Sequence, residues 1–212
     1  MPRWLWITLV GATLLLFWAA GRGPGDIAVP VQGGATLGCP PMAFPTGLAE
    51  PLQVDVGDAP MVAFEGHTLQ PLAGFAIQAR VLGREDYRFD RNAGLSPTDL
   101  ALGWQRMADP AFYKQLDISQ GGRWYRYRWG PDGPPLPLEE IIRSSANMHL
   151  VPANPSVARA IDRVREDQTV RLKGWLVEIR GDDGWQWRSS LTREDSGDGA
   201  CELIYVCEFE AW

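Results

Sequence analysis

The sequence predicts an α+β domain: a small, curled or barrel-like, mainly antiparallel sheet with two to three short helices, preceded by one N-terminal transmembrane helix. Three observations lead to this prediction. Several segments alternate apolar and polar residues, as half-buried strands do. Two segments open with a polar residue followed by proline, a pattern typical of helix starts. An uncharged apolar run of 17 residues stands near the N-terminus.

The apolar run, Trp4 to Ala20, is the first element along the chain. At about 1.5 Å per residue it spans roughly 25 Å, close to the lower limit for a bilayer core. Arg3 precedes it, whereas Arg22 and Asp26 largely cancel after it, so the N-terminus is expected to stay cytoplasmic. The small residues of 18–21 also allow cleavage as a signal peptide. Both alternatives export the rest of the chain, and we expect residues 1–20 to be an uncleaved anchor.

The next 40 residues have the composition of a linker. Residues 21–60 contain eight glycines and seven prolines and show no helical or strand periodicity. Such a segment is expected to be a linker or a loosely packed arm. The remaining residues, 61–212, are numerous enough for one well-buried core and form the predicted exported α+β domain.

Strand patterns recur within this predicted domain. Gly174 interrupts one strand where barrel strands often bend, and residues 180–184 have two glycines, as a tight hairpin loop would. A helix followed by a glycine-bent strand and a hairpin is compatible with an OB-like or SH3-like barrel. The alternating segments are 75–81, 123–129, 170–179, 185–188 and 202–209.

Two helices are predicted between the strands, with a short third one. Ser96-Pro97-Thr98-Asp99 supplies a capping serine, a proline and an acid, and predicts a helix over 100–107. Asn154-Pro155 begins the second helix in the same way, with apolar residues recurring on one face up to Val164. Residues 137–143 are expected to form the third helix.

The three cysteines restrict the disulfides that the chain can form. Cys201 and Cys207 fall in one predicted strand, where six residues separate them by roughly 20 Å. A disulfide requires Cα atoms within about 7 Å. Any disulfide therefore involves Cys39 or joins two chains, and Cys39 could pair with either of the other two.

Composition and spacing argue against several function classes. The formal net charge is -6, which gives no electrostatic reason to bind nucleic acid. There are two histidines, no Cys-x-x-Cys and no glycine-rich phosphate loop before a helix, so no metal and no cofactor is predicted. Asp90, Asp99 or Asp195 could complete a site with a histidine, but their spacing does not favour one.

Aromatic residues are in excess, with ten tryptophans. Segment 123–129 interleaves arginine with tyrosine and tryptophan, and such surfaces can stack on bases or sugar rings. The alternative, which we favour, is that these arginines lie over aromatic faces as cation–π pairs and that the tryptophans of 175–187 fill a small core.

Two polar segments are the candidate binding site. Residues 188–195 leave a tryptophan-rich strand and are dense in hydrogen-bonding groups, and together with segment 144–149 they could line a cleft. Both could equally be loops held by their own side chains. The candidate binding residues are Trp104, Asn147, His149, Arg188, Ser189, Arg193 and Asp195.

Four segments (95–104, 117–120, 147–154 and 174–177) resemble a family of bacterial membrane-anchored, exported hypothetical proteins without an assigned activity. The likeness covers roughly residues 75–206. It implies a bacterial source and an exported domain. With the apolar run, this predicts a single-pass protein of the inner membrane with a periplasmic C-terminal domain. The resemblance carries over no catalytic residue.

Taken together, these features favour a membrane-tethered periplasmic binding or assembly module, non-catalytic, whose partner is an envelope protein or a glycan. The alternative is a cell-envelope hydrolase that uses a polar cleft around His149, as general base, and Ser189.

Overall fold

The computed structural model of the protein describes residues 37–56, 59–192 and 201–212. Within these ranges a 3-10 helix spans Gln105–Ala108, and there are three short α-helices: α1 (Pro110–Tyr113), α2 (Leu138–Arg143) and α3 (Pro155–Arg163). The strands are β1 (Leu52–Asp55), β2 (Val62–Phe64), β3 (His67–Asp86), β4 (Thr98–Gly103), β5 (Asp117–Gly121), β6 (Trp124–Arg128), β7 (Ser145–Pro152), β8 (Thr169–Arg180), β9 (Gln186–Arg188) and β10 (Glu202–Ala211).

Eight of these strands form one mixed sheet in the order β1-β3-β4-β7-β10-β8-β9, with β2 also paired to β3. The long strand β3 pairs with β8 as well, so the pairings β3-β4-β7-β10-β8 return to β3. The pair β7–β10 is parallel and the other pairs are antiparallel. β5 and β6 form a separate hairpin. The chain is therefore mostly β, and the predicted combination of a largely antiparallel sheet with short helices is confirmed.

The central cluster of buried apolar side chains follows the period-two alternation of the strands. Gly174 lies where β8 approaches β10, and a Cβ atom there would stand 2.1 Å from the carbonyl oxygen of Tyr205. Glycine therefore permits the close approach at the position where the sequence predicted a bend. Members of the central cluster are Phe75, Ile77, Leu100, Leu102, Met148, Leu150, Leu172, Leu176, Ile204 and Val206.

A second cluster, here called the outer cluster, lies on the opposite side of the same strands, because its residues alternate with those of the central cluster. The half-buried side chains of Leu37, Trp175, Trp185 and Trp187 pack against it. Its buried members are Phe64, Leu69, Leu95, Val151, Ala153, Val177, Ile179, Leu203 and Tyr205.

The helix predicted over 100–107 is wrong for residues 100–103, whereas residues 105–107 lie in the 3-10 helix. Residues 98–103 form β4, and all six are buried between β3 and β7. Leu100 and Leu102 enter the central cluster while Ala101 packs in a third cluster on the other side. The pattern of residues 96–99 expresses only a local preference for starting a helix. The burial of both faces of β4 and its hydrogen bonds to β3 and β7 stabilise the strand by more than this preference stabilises a helix.

The other predicted elements are present. Asn154 begins α3, and its side chain accepts hydrogen bonds from the backbone N–H groups of Ser156 and Val157. The third predicted helix corresponds to α2. The five alternating segments lie in β3, β6, β8, β9 and β10, whereas β7 was not predicted as a strand.

The described part of the predicted linker belongs to the folded domain. β1 pairs with residues 73–76 of β3, and a disulfide joins Cys39 to Cys207 with a Cα–Cα distance of 5.5 Å. The indole N–H of Trp175 donates to the carbonyl oxygen of Gly38 at 2.6 Å. The domain therefore begins by Leu37 rather than at residue 61. Prolines and glycines in this segment favour an extended backbone, which is compatible with packing against a sheet as well as with a loose arm.

The predicted anchor, residues 4–20, lies outside the described residues. Within the part of the chain that the structure describes, no helix combines the length and apolar character that crossing a membrane requires.

Candidate functional site

Three polar side chains project from the middle of the sheet on the side opposite the central cluster. Asp99 of β4 lies directly across from His149 of β7, and Asn147 lies two residues away from His149 on the same strand. Asp99 is fully buried, and His149 and Asn147 are only 3% and 4% exposed. Together with Arg123 they form what we call the buried polar cluster.

Arg123 enters this cluster from the turn between β5 and β6. Its backbone has a positive φ of 70°, next to Gly122 in the same left-handed region. Its Nη1 donates to Asp99 Oδ1 and to the carbonyl oxygen of Ser96, both at 2.8 Å. Its Nε and Nη2 donate to the Asp90 carboxylate at 2.9–3.1 Å. The guanidinium thus balances the buried charge of Asp99 and fastens the hairpin to the sheet.

Asn147 connects the two strands to the hairpin. Its Nδ2 donates to Asp99 Oδ2 and to the carbonyl oxygen of Arg123, each at 3.2 Å, while its Oδ1 accepts from Gln120 Nε2 at 2.7 Å. Both ends of the amide are therefore satisfied within the protein, as buried amides usually are.

His149 is covered by an aromatic ring. Its Nδ1 lies 2.9 Å from Asp99 Oδ2, although the angle is not that of a hydrogen bond. The imidazole packs 4.9 Å, centroid to centroid, from the indole of Trp187. A general base must reach the proton that it removes, and a side chain that is only 3% exposed offers a substrate little access.

Tyr87 closes the cluster on its outer side. The guanidinium of Arg123 lies 3.7 Å from the centroid of its ring, and the backbone N–H of Arg123 donates to its hydroxyl at 3.0 Å. Burial, and then the nearby Asp99 carboxylate, raise the pKa of Tyr87 to about 12. The phenol therefore stays neutral beneath the cation, which is the form that a cation–π contact uses.

Two further predicted site residues have structural partners elsewhere. Ser189 is buried, and its hydroxyl accepts from the N–H of Leu203 and donates to the carbonyl oxygen of Ser190. Arg188 pairs with Glu178. Hydrogen bonds from Arg180 and Arg188 hold the pKa of Glu178 below its ordinary value, against the opposing effect of burial. None of these bonds reaches His149.

The remaining predicted site residues do not line a cleft. Trp104 is fully buried in the central cluster, so it is core rather than binding surface. Arg193 and Asp195 lie outside the described residues. Because Asn147, His149 and Ser189 are all at least 95% buried, the described parts of segments 144–149 and 188–195 are packed and do not face each other across an open cleft.

Arg123 and Asp99 of the cluster, and Asp90, which binds Arg123, were missed as site residues. Arg123 was expected only as part of an arginine–aromatic strand, and the predicted cation–π arrangement is confirmed over Tyr87 and, for Arg126, over Trp124 at 5.9 Å. Asp90 was noted only as a partner for a histidine. Within the described ranges, no group of three His, Cys, Asp or Glu side chains is placed to hold a metal ion.

Comparison with known proteins gives no match, either among protein-family models, curated proteins or solved structures. The function is therefore inferred from the geometry of the described residues.

Proposed function

We propose that the chain is a membrane-tethered periplasmic binding or assembly module, non-catalytic, built on an OB-like barrel. The buried polar cluster carries this proposal. Its His149–Asp99 pair is the contact that a hydrolase would need, yet Trp187 covers the imidazole and Arg123 neutralises the carboxylate. Such a pair supports the fold and leaves no reactive group for a substrate.

The closed order of strand pairing supports the OB-like barrel. β3, β4, β7, β10 and β8 pair in a cycle, β7 and β10 run parallel, and α3 connects β7 to β8. OB folds are five-stranded Greek-key barrels that bind ligands on the face of their second and third strands. In this chain the corresponding strands are β4 and β7, and the hairpin that carries Arg123 occupies their outer face. A partner is therefore expected to contact the loops at its margin.

The disulfide supports export of the domain. Bonds such as Cys39–Cys207 persist in oxidising compartments, the periplasm among them. Residues 21–36, between the predicted anchor and Leu37, number only 16. Sixteen residues span at most about 55 Å even when fully extended. An anchor at residues 4–20 would therefore hold the domain within that distance of the bilayer.

The partner is an envelope protein or a glycan: Trp129 and Trp212 are 41% and 56% exposed, whereas four other tryptophans contact protein groups and give the glycan no specific support. Sugar recognition on a platform needs a free aromatic face, whereas Trp175, Trp185 and Trp187 pack against the outer cluster. The ring of Trp124 lies beneath the guanidinium of Arg126. These tryptophans are better accounted for by packing than by stacking on sugar rings.

The test is complementation of a deletion strain under envelope stress. The full chain should restore growth, and a chain whose residues 1–20 are replaced by a cleaved signal peptide should not. Full rescue by the released domain would contradict the tethered module. His149→Gln keeps a buried polar side chain and should still complement. Loss of rescue without loss of thermal stability would instead support the hydrolase.

A further inference from the structure

We infer that residues 87–97, here called the Phe89 loop, dock on the anionic surface of the bilayer that holds the anchor. This inference rests on the proposed function, because it requires the anchor to bring the domain to the membrane.

The first observation is the exposure of Phe89. Its side chain is 98% exposed, whereas the next large apolar side chain in the described ranges, Met61, is 58% exposed. A phenylalanine side chain that stays in water lacks the favourable free energy of transfer that burial in an apolar environment would provide. Such a position at the tip of a loop suits insertion into an apolar surface.

The second observation is that the loop is held on both sides of Phe89. Before Phe89, the backbone N–H of Tyr87 donates to the carbonyl oxygen of Pro97 at 2.8 Å, and the ring of Tyr87 lies against the guanidinium of Arg123. After Phe89, Asp90 accepts hydrogen bonds from Arg123, and Arg91 forms an ion pair with Asp183. These contacts prevent the loop from turning its phenylalanine into the protein. An anchor that is already held in place loses less conformational entropy when it binds.

The third observation concerns which side of the domain carries the loop. Arg91 ties it to the β8–β9 hairpin, and the guanidinium lies 5.1 Å from the centroid of the Trp185 ring. Trp185 packs against the outer cluster, and so does Leu37, the first described residue. The chain that comes from the predicted anchor therefore enters the domain through the same cluster that supports this hairpin.

The chemistry of the tip favours lipid. Arg88 stands exposed beside Phe89 and takes part in no ion pair among the described residues. An aromatic ring with an adjacent cation suits the interface of an anionic bilayer, where the ring enters the headgroup region and the cation meets lipid phosphate. A single phenylalanine ring binds a membrane weakly by itself. Because the anchor already holds the domain at the bilayer, the local concentration of lipid around Phe89 is high, and even a weak contact is then formed much of the time.

The experiment places the full chain in lipid nanodiscs with 4-fluorophenylalanine at position 89, introduced by nonsense suppression, so that the ring is retained. The control carries the same label in place of Glu166, an exposed residue at the opposite end of β8 from Asp183. Broadening of the fluorine resonance by a water-soluble nickel chelate measures contact with water.

In discs containing phosphatidylglycerol, broadening at position 89 should be several-fold weaker than at position 166. The protection should diminish in discs of phosphatidylcholine alone, and Arg88→Gln should remove that dependence on lipid charge. Equal broadening at the two positions would overturn the inference. So would protection that requires two copies of the chain in one disc, because the occupant would then be a second copy. Failure of the chain to enter discs would count against the anchor itself.

Discussion

Removal of Arg123 tests whether the buried polar cluster holds the domain together. Arg123→Met keeps much of the apolar stem but leaves the fully buried carboxylate of Asp99 without its cation. Breaking a buried ion pair from one side costs about 3–5 kcal/mol. The cation–π contact with Tyr87 is lost at the same time. A domain of this size has a free energy of unfolding of about 5–15 kcal/mol, so the variant should fold with much of its stability gone.

Urea unfolding followed by tryptophan fluorescence measures the loss. With a slope of about 2 kcal/mol per molar urea, the midpoint should fall by about 2 M. The double variant Arg123→Met, Asp99→Asn removes the uncompensated charge and should recover about half of the loss, since Asn147 can still bond to the new amide.

The matched control lies on the same hairpin. Arg128 pairs with Asp117, but both side chains are more than half exposed, and such pairs contribute about 0–1 kcal/mol. Arg128→Met should therefore leave the midpoint nearly unchanged. Equal effects of Arg123→Met and Arg128→Met would refute the structural role of the cluster, as would a double variant no more stable than Arg123→Met alone.

Three further predictions concern other parts of the domain. His149→Ala leaves a cavity beneath an aromatic ring and should lower the melting temperature by about 10 °C, since it costs roughly 3 kcal/mol; an unchanged melting temperature would contradict its packed position. Cys39→Ser opens a loop of 168 residues and should cost about 2–5 kcal/mol in denaturant unfolding, whereas Cys201→Ser, outside the disulfide, should cost much less. The pKa values of Tyr87 and Tyr113 are raised to about 12, above the ordinary value of about 10, so the folded state retains protons that the unfolded chain releases. The free energy of unfolding should therefore decrease as pH rises from about 10 to 12, and Tyr113→Phe should reduce that slope; a flat profile would count against both shifts.

Elements with a strong local pattern could be predicted from the sequence. β8 alternates in hydrophobicity over much of its length, and Asn154-Pro155 caps α3 with a mechanism that needs only neighbouring residues. β4 could not be predicted, because its burial on both faces removes the alternation and leaves an apolar run that fits either helix or strand.

Contacts between residues that are far apart in the chain could not be predicted from the sequence. Arg123 meets Asp99 across 24 residues, and Cys39 meets Cys207 across 168. The sequence marked His149 as a candidate binding residue and as the general base of the alternative hydrolase. Only the packing of Trp187 over it distinguishes a structural histidine from a base.

The buried polar cluster and the exposed Phe89 are two consequences of one arrangement. Asp90 follows Phe89 directly and is held by Arg123, which is itself held by Asp99 deep in the sheet. A chain of charge-assisted bonds thus runs from the core to the loop that we infer to touch the bilayer. Polar residues within a buried face usually cost stability. In this face their bonds also fix the position of a loop whose tip, Phe89, is 98% exposed. Breaking the Arg123–Asp99 ion pair should therefore make the Phe89 loop mobile under conditions in which the sheet is still folded.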